Sequence, residues 1–145
     1  MKPITIEYAL RTAWQSVTNM YNEKASTYNS SMSMGFTLLS IDAEGTPSTA
    51  LGPKMGIEST SLSRILNTLE DRGYIKRKPN PDDGRGVLIF LTKKGKEKRD
   101  ISKKTVIEFN NSIIKNMNPK KMMHFFEVID CIKTTVEQKE LINNK

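Results

Sequence analysis

Apolar residues recur at spacings of mostly three and four from Ile6 through Leu10, Ala13, Trp14, Val17, Met20, Tyr21, Ala25 and Tyr28. That period predicts one long helix over about residues 4 to 28, carrying a single apolar stripe. The run NSSMSMG breaks it. Phe36, Leu38, Leu39 and Ile41 then predict a short apolar helix, which the turn-forming EGTPS ends. In TPSTALGPKMGI, Thr46 or Ser48 is placed to cap another short helix. Pro53 is expected only in or near its first turn, and Gly56 should end it in the left-handed conformation. Leu62, Ile65, Leu66 and Leu69 give the following segment a helical face that Gly73 closes. A turn of about three residues between these two helices is the helix-turn-helix spacing.

After Gly73 the period changes. YIKRK alternates apolar and basic residues, VLIFLT is apolar and rich in strand formers, and PNPDDGRG between them is full of turn formers. The pattern predicts a two-stranded hairpin with a loop longer than a tight turn. Thr92 then caps a long helix running to about Met117, with Ile101, Val106, Phe109, Ile113 and Ile114 at its apolar positions. Asn118 and Pro119 supply a cap and a first-position proline for a last helix bearing Met122, Phe125, Phe126, Ile129, Ile132 and Val136. Only the terminal INNK reads as flexible. The fold class is therefore mainly α: a winged helix-turn-helix with a two-stranded wing, flanked by N- and C-terminal helices. The expected division is 1–33 for an N-terminal dimerisation helix, 34–98 for the winged domain and 99–145 for C-terminal dimerisation helices. Each flanking helix has an apolar stripe that needs covering, and a two-fold partner would cover what the chain itself does not.

With 37% hydrophobic and 27% charged residues in 145, the chain reads as globular rather than disordered. No apolar run approaches the roughly 20 residues that span a bilayer. The start MKPITIEYAL lacks the continuous apolar core of a signal peptide, and a single cysteine, Cys131, forms no internal disulfide. These features point to a cytoplasmic protein with no membrane partner. The net charge is +7, and its location matters more than its size. Residues 54 to 99 hold twelve Lys/Arg against six Asp/Glu, so nearly all the excess lies in the middle third. Such a patch is the electrostatic footprint of a nucleic-acid binder, although a solvated basic surface would give the same count.

Two segments supply candidate chemistry. The helix from about Ser59 begins with Ser59, Thr60, Ser61, Ser63 and Arg64. Short hydroxyls let a helix N-terminus approach phosphates and base edges, and Arg64 suits bidentate contact with guanine. The alternative is a surface helix whose serines merely cap it. In the hairpin, Arg85 stands between Gly84 and Gly86, a slim tip suited to a narrow minor groove. Lys76, Arg77 and Lys78 on the incoming strand are placed to reach phosphates.

The run GIESTSLSRILNTLEDRGYIKRKPNPDDGRGVLIFLTKKG resembles the core of the MarR family of dimeric winged helix-turn-helix transcription factors. LEDRGYIKR, DDGR and LTKKG are specific in combination, and the resemblance covers about residues 35 to 98. It implies that Asp83 and Arg85 form the wing's Asp-x-Arg signature, with the arginine in the minor groove and the aspartate holding the wing's shape. It places Thr60, Ser61, Ser63 and Arg64 toward the major groove. Three positions depart from the family pattern. Glu58 replaces a small cap, so Ser59 is expected to cap instead. Thr68 stands where arginine is common, and Gly52-Pro53 is unusual in the preceding helix. The family also implies a small-molecule effector held between the dimer helices and the winged domain, where Trp14, Tyr21, Tyr28, Met32, Met34 and Phe36 could line a space. Methionines and aromatics at helical spacing are more often plain core.

Cys131, in the last helix with no adjacent cation, reads as a packed cysteine. The lone His124 offers little for a metal cluster, and no metal or cofactor is expected. No GxSxG, P-loop or dinucleotide fingerprint occurs, so an enzyme is not expected. The expected partners are double-stranded DNA with a pseudo-palindromic operator and a second copy of the chain. The competing reading is a winged-helix interaction module for an acidic protein.

Overall fold

The computed structural model describes residues 3–138. The INNK tail lies outside the described residues. The chain divides into two compact units, residues 1–103 and 104–145.

In the first unit, α1 spans Ile6–Ser26, α2 Met32–Ser40, α3 Ser48–Met55 and α4 Ser59–Asp71. Thr5 caps α1 by accepting from the Tyr8 N–H. The break before α2 is shorter than expected and falls before Met32. Ser31 caps α2 through the Met34 N–H at 3.2 Å, so Met32 to Gly35 are already helical. Gly35 is tolerated there because it meets α5 (Lys93–Lys115): a Cβ at this position would lie 2.9 Å from Ser102 Oγ.

Pro53 departs from expectation. It is the sixth residue of α3, not near its start. The missing N–H costs one helical bond, and the helix ends two residues later, at Met55. Gly56 takes φ 68°, its N–H donates to Pro53 O, and the Ile57 N–H reaches back to Gly52 O at 3.1 Å. This double closure satisfies the last carbonyls within a turn of the proline. α4 ends the same way: Gly73 (φ 76°) donates to Glu70 O and Tyr74 to Leu69 O.

The hairpin is present as β2 (Ile75–Asn80) and β3 (Asp83–Leu91), antiparallel. A third strand joins it: β1, Thr46–Pro47, pairs with β3 as Thr46↔Ile89 and Pro47↔Leu88, giving the order β1-β3-β2. The turn reading of EGTPS missed this strand, because its partner lies some forty residues away. Thr46, almost fully buried, holds the corner by accepting from the Asp42 N–H at 2.8 Å.

The core gathers Met34, Leu38 and Ile41 of the α2 region, Leu51 of α3, Leu62, Leu66 and Leu69 of α4, and Ile75, Ile89 and Leu91 of the sheet. Of the predicted face of α4, Leu62, Leu66 and Leu69 are buried and Ile65 is partly buried against them. Tyr21 of α1 meets Phe36 of α2 edge-on at 5.5 Å, and burial pushes its phenol up from its ordinary value. Trp14 and Tyr28 are instead about half exposed.

α5 starts as predicted: Thr92 Oγ1 accepts from the Gly95 N–H at 3.0 Å. It runs to Lys115, ending slightly short of Met117. In the second unit, Asn118 caps α6 (Pro119–Glu137) through the Lys121 N–H at 2.7 Å. No described residue of α6 is buried, and Phe125, Phe126 and Val128 are each more than half exposed. Cys131 is accordingly exposed rather than packed: in a single chain, α6 has no side chain sequestered from solvent. His124 is on the surface, with Nδ1 3.2 Å from Glu127. Among the described residues no helix is long and apolar enough to cross a membrane, and no His/Cys/Asp/Glu group could hold a metal.

Candidate nucleic-acid interface

The hydrophobic pattern of α4 decides which residues it presents. With Leu62, Leu66 and Leu69 turned inward, Thr60, Ser61, Ser63 and Arg64 are all exposed. The N-cap is Glu58, in extended conformation (φ −73°, ψ 151°), and its side chain makes no capping bond. Ser59 does not cap in its place. It is the first helical residue, and its carbonyl accepts from Ser63 Oγ at 2.9 Å. The expected shift of the helix start to a serine cap does not occur, because helical geometry at residue 59 denies its hydroxyl the reach of the next turn's N–H groups. The helix N-terminus therefore keeps uncapped N–H groups among exposed hydroxyls, an arrangement suited to an anionic oxygen.

The wing differs from the open loop expected of PNPDDGRG. Strand pairing continues to Asn80↔Asp83, so only Pro81 and Asp82 connect the strands. The surplus residues sit on the other side as a bulge. Pro79 pairs with Val87, leaving Gly84, Arg85 and Gly86 unmatched on β3. Two side chains fix this geometry: Asn80 Oδ1 accepts from the Asp82 N–H at 3.0 Å, and Asp83 Oδ1 accepts from the Arg85 N–H at 3.1 Å. Gly86 makes room for the second, since a Cβ there would lie 3.0 Å from Asp83 Oδ2. The result is an exposed arginine on a bulge held by its own aspartate, with its side chain projecting free of bulky neighbours. Asp82 is exposed, and no described residue pairs with its carboxylate.

The three basic residues of β2 divide by strand alternation. Lys76 and Lys78 lie on one face, and Lys78 Nζ stands 5.1 Å above the Phe90 ring. Arg77 points the other way, toward α4. Its Nη2 donates to Asn67 Oδ1 at 2.9 Å, and its Nε lies 3.6 Å from Glu70 Oε2. The structure thus brings α4, the wing bulge and β2 together in one unit, with Arg77 engaged inside it and Arg64, Lys76 and Arg85 in no ion pair with the described residues.

Residues 35–87 match the model of the MarR family. The winged-helix segment is thus similar to that family. Residues 35–87 contain all of α2 but its first three residues, together with β1, α3, α4, β2 and the bulge of β3. The chain is 28% identical over 90 residues to the uncharacterized HTH-type transcriptional regulator YdgJ of Bacillus subtilis, a match covering 62% of this chain and 55% of that protein. It thus spans about half the length of the curated relatives it matches. Among solved structures, the Staphylococcus aureus MepR–DNA complex superposes with a TM-score of 0.83 at 15% identity, covering 92% of this chain and 99% of that one. Streptococcus pneumoniae FabT in complex with DNA gives 0.78 at 19%, covering 93% and 97%. At these identities the likeness shows the fold. Within this segment, sequence reading missed Asn67 and Glu70, and it read Gly86 only as a slim flank of Arg85, not as the room for the Asp83 carboxylate. The alternation that puts Arg77 on the buried side of Ile75 was the signal for the first two.

Proposed function

We propose that the protein is a sequence-specific regulator of transcription that binds double-stranded DNA as a homodimer. The α4 hydroxyls and Arg64 would meet the major groove, Arg85 the minor groove, and Lys76 and Lys78 the phosphates. The observation that carries this reading is the preformed wing, in which the Asp83 hydrogen bond and the room left by Gly86 hold Arg85 outward. A loop backbone ordered beforehand loses less entropy on binding. A two-fold pair of such units reads half-sites about one helical turn apart, hence a pseudo-palindromic operator. Repression, and its relief by a small effector, are the finer part of the proposal and rest on the family relation. The reading also implies a cytoplasmic location.

The test is selection of bound duplexes from a random pool, followed by titration at two salt concentrations. The selected duplex should bind far more tightly than unselected DNA, with affinity falling steeply as salt rises. Arg85→Ala should weaken binding to the selected duplex about tenfold or more, while leaving the melting temperature unchanged. Equal affinity for selected and random duplexes would refute sequence-specific regulation.

A further inference from the structure

Thr60, Ser63, Asn67 and Glu70 follow one another along one side of α4 at steps of three, four and three. The first two lie among the exposed residues assigned to the major groove. The last two hold Arg77 of β2, through the 2.9 Å bond to Asn67 and the 3.6 Å approach to Glu70. The Arg77 side chain is about one-third exposed and that of Glu70 less than half, so the contact bridges helix and strand near the surface. Four residues beyond Arg77, Pro81 opens the turn that leads to Asp83 and Arg85. The planar fork of an arginine can face an amide and a carboxylate one helical turn apart, whereas an ammonium is a single point.

We propose that Arg77 is a positioning residue for DNA recognition: it splints β2 to α4 and sets how the wing arginine stands relative to the recognition helix, without itself contacting phosphate. This inference rests on the DNA reading above. It differs in outcome from a phosphate contact, because a splint influences specificity while a phosphate contact influences charge neutralisation.

The test uses the full chain and the duplex selected by the wild-type protein. Affinity is measured across a salt series for Arg77→Met, Arg77→Lys, Asn67→Ala and the Arg77→Met/Asn67→Ala pair. If Arg77 is a splint, Arg77→Met and Asn67→Ala each weaken selected-duplex binding on the order of tenfold, and the pair is little worse than either alone. Preference for the selected over random DNA falls, the slope of log affinity against log salt is unchanged, and Arg77→Lys fails to restore binding. Loss of a phosphate contact in both subunits would instead reduce that slope by about 1.8 and would weaken all duplexes alike. That result, or full binding by Arg77→Lys, or additive effects in the pair, or no effect of Arg77→Met, overturns the proposal. Melting curves identify any variant that loses binding by unfolding, and Arg77→Lys, which keeps the charge and stem, stands as the second variant. A wild-type protein that prefers no duplex would sink the DNA reading itself, and this shows before any variant is compared.

Discussion

At the scale of single residues, the most constrained position lies away from the interface. Gly95 is the third residue of α5 and is buried. A Cβ there would lie 1.8 Å from the Tyr74 carbonyl oxygen, which also accepts from the Thr92 N–H at 3.0 Å. Thr92 Oγ1 meanwhile donates to Gly73 O at 2.6 Å and caps Gly95. The end of α4, the start of β2 and the start of α5 are thus locked through backbone, which cannot swing aside as a side chain can. Glycine to alanine within a helix ordinarily gains about 1 kcal/mol. Forcing a methyl into packed backbone costs about 3 kcal/mol or more. The clash wins, and Gly95→Ala should lower unfolding free energy by about 2 kcal/mol, read as a lower urea midpoint. Gly35→Ala is the control, because its obstacle is the hydroxyl of Ser102, which can rotate. A stabilised Gly95→Ala protein would mean that α5 can slide off Tyr74.

At the scale of elements, the wing makes the sharpest prediction. Asp83 carries a negative charge beside a proposed polyanion site, so simple electrostatics says that removing it tightens binding. Its hydrogen bond to the Arg85 N–H says the reverse, because the bulge loses its brace. An exposed charge is largely screened at physiological salt, whereas unpinning a loop restores entropy that binding must then remove. Asp83→Ala should therefore weaken binding to the selected duplex several-fold, with Asp82→Ala neutral or slightly favourable. Tighter binding by Asp83→Ala would show that the brace is irrelevant. The same element shows what was legible in the sequence. The buried face of α4, the glycine closures at Gly56 and Gly73 and the caps Thr92 and Asn118 are local signals, and local chemistry decides them. The bulge and β1 depend on pairing across the sheet. PNPDDGRG has the composition of an open loop, and only the register Pro79↔Val87 against Asn80↔Asp83 turns it into a tight turn plus bulge. Pro53 was misplaced for a related reason: the rule against interior proline weighs one lost hydrogen bond, and here the closure at Gly56 and Ile57 ends the helix two residues later, so little helix is left to disrupt.

At the scale of the whole molecule, the apolar stripes read in the terminal helices are real, but the single chain leaves much of them open. In the first unit Ile4, Ile6 and Trp14 are more than half exposed, and in the second Phe125, Phe126, Val128 and Val136 are as well. Scattered exposed apolar residues need no explanation, but two adjacent phenylalanines in edge contact at 5.4 Å on a helix with no buried residue do. In the proposed homodimer a second copy of the chain would cover them, and two-site recognition needs that copy. Truncating a buried aromatic anchor at an interface costs about 2 kcal/mol or more, and in a two-fold interface the change appears twice. Phe126→Asp should therefore raise the dimer dissociation constant on the order of a thousandfold. Sedimentation velocity would show a monomer at concentrations where the wild type is dimeric. Because the substitution lies in the second unit, α4 and the wing stay intact, so weak binding of a single half-site should persist while affinity for the full selected duplex collapses. A Phe126→Asp protein that still sediments as a dimer would place the subunit contact elsewhere than α6. If the wild-type protein is itself monomeric, the two-fold model of recognition fails and the exposed phenylalanines need another occupant.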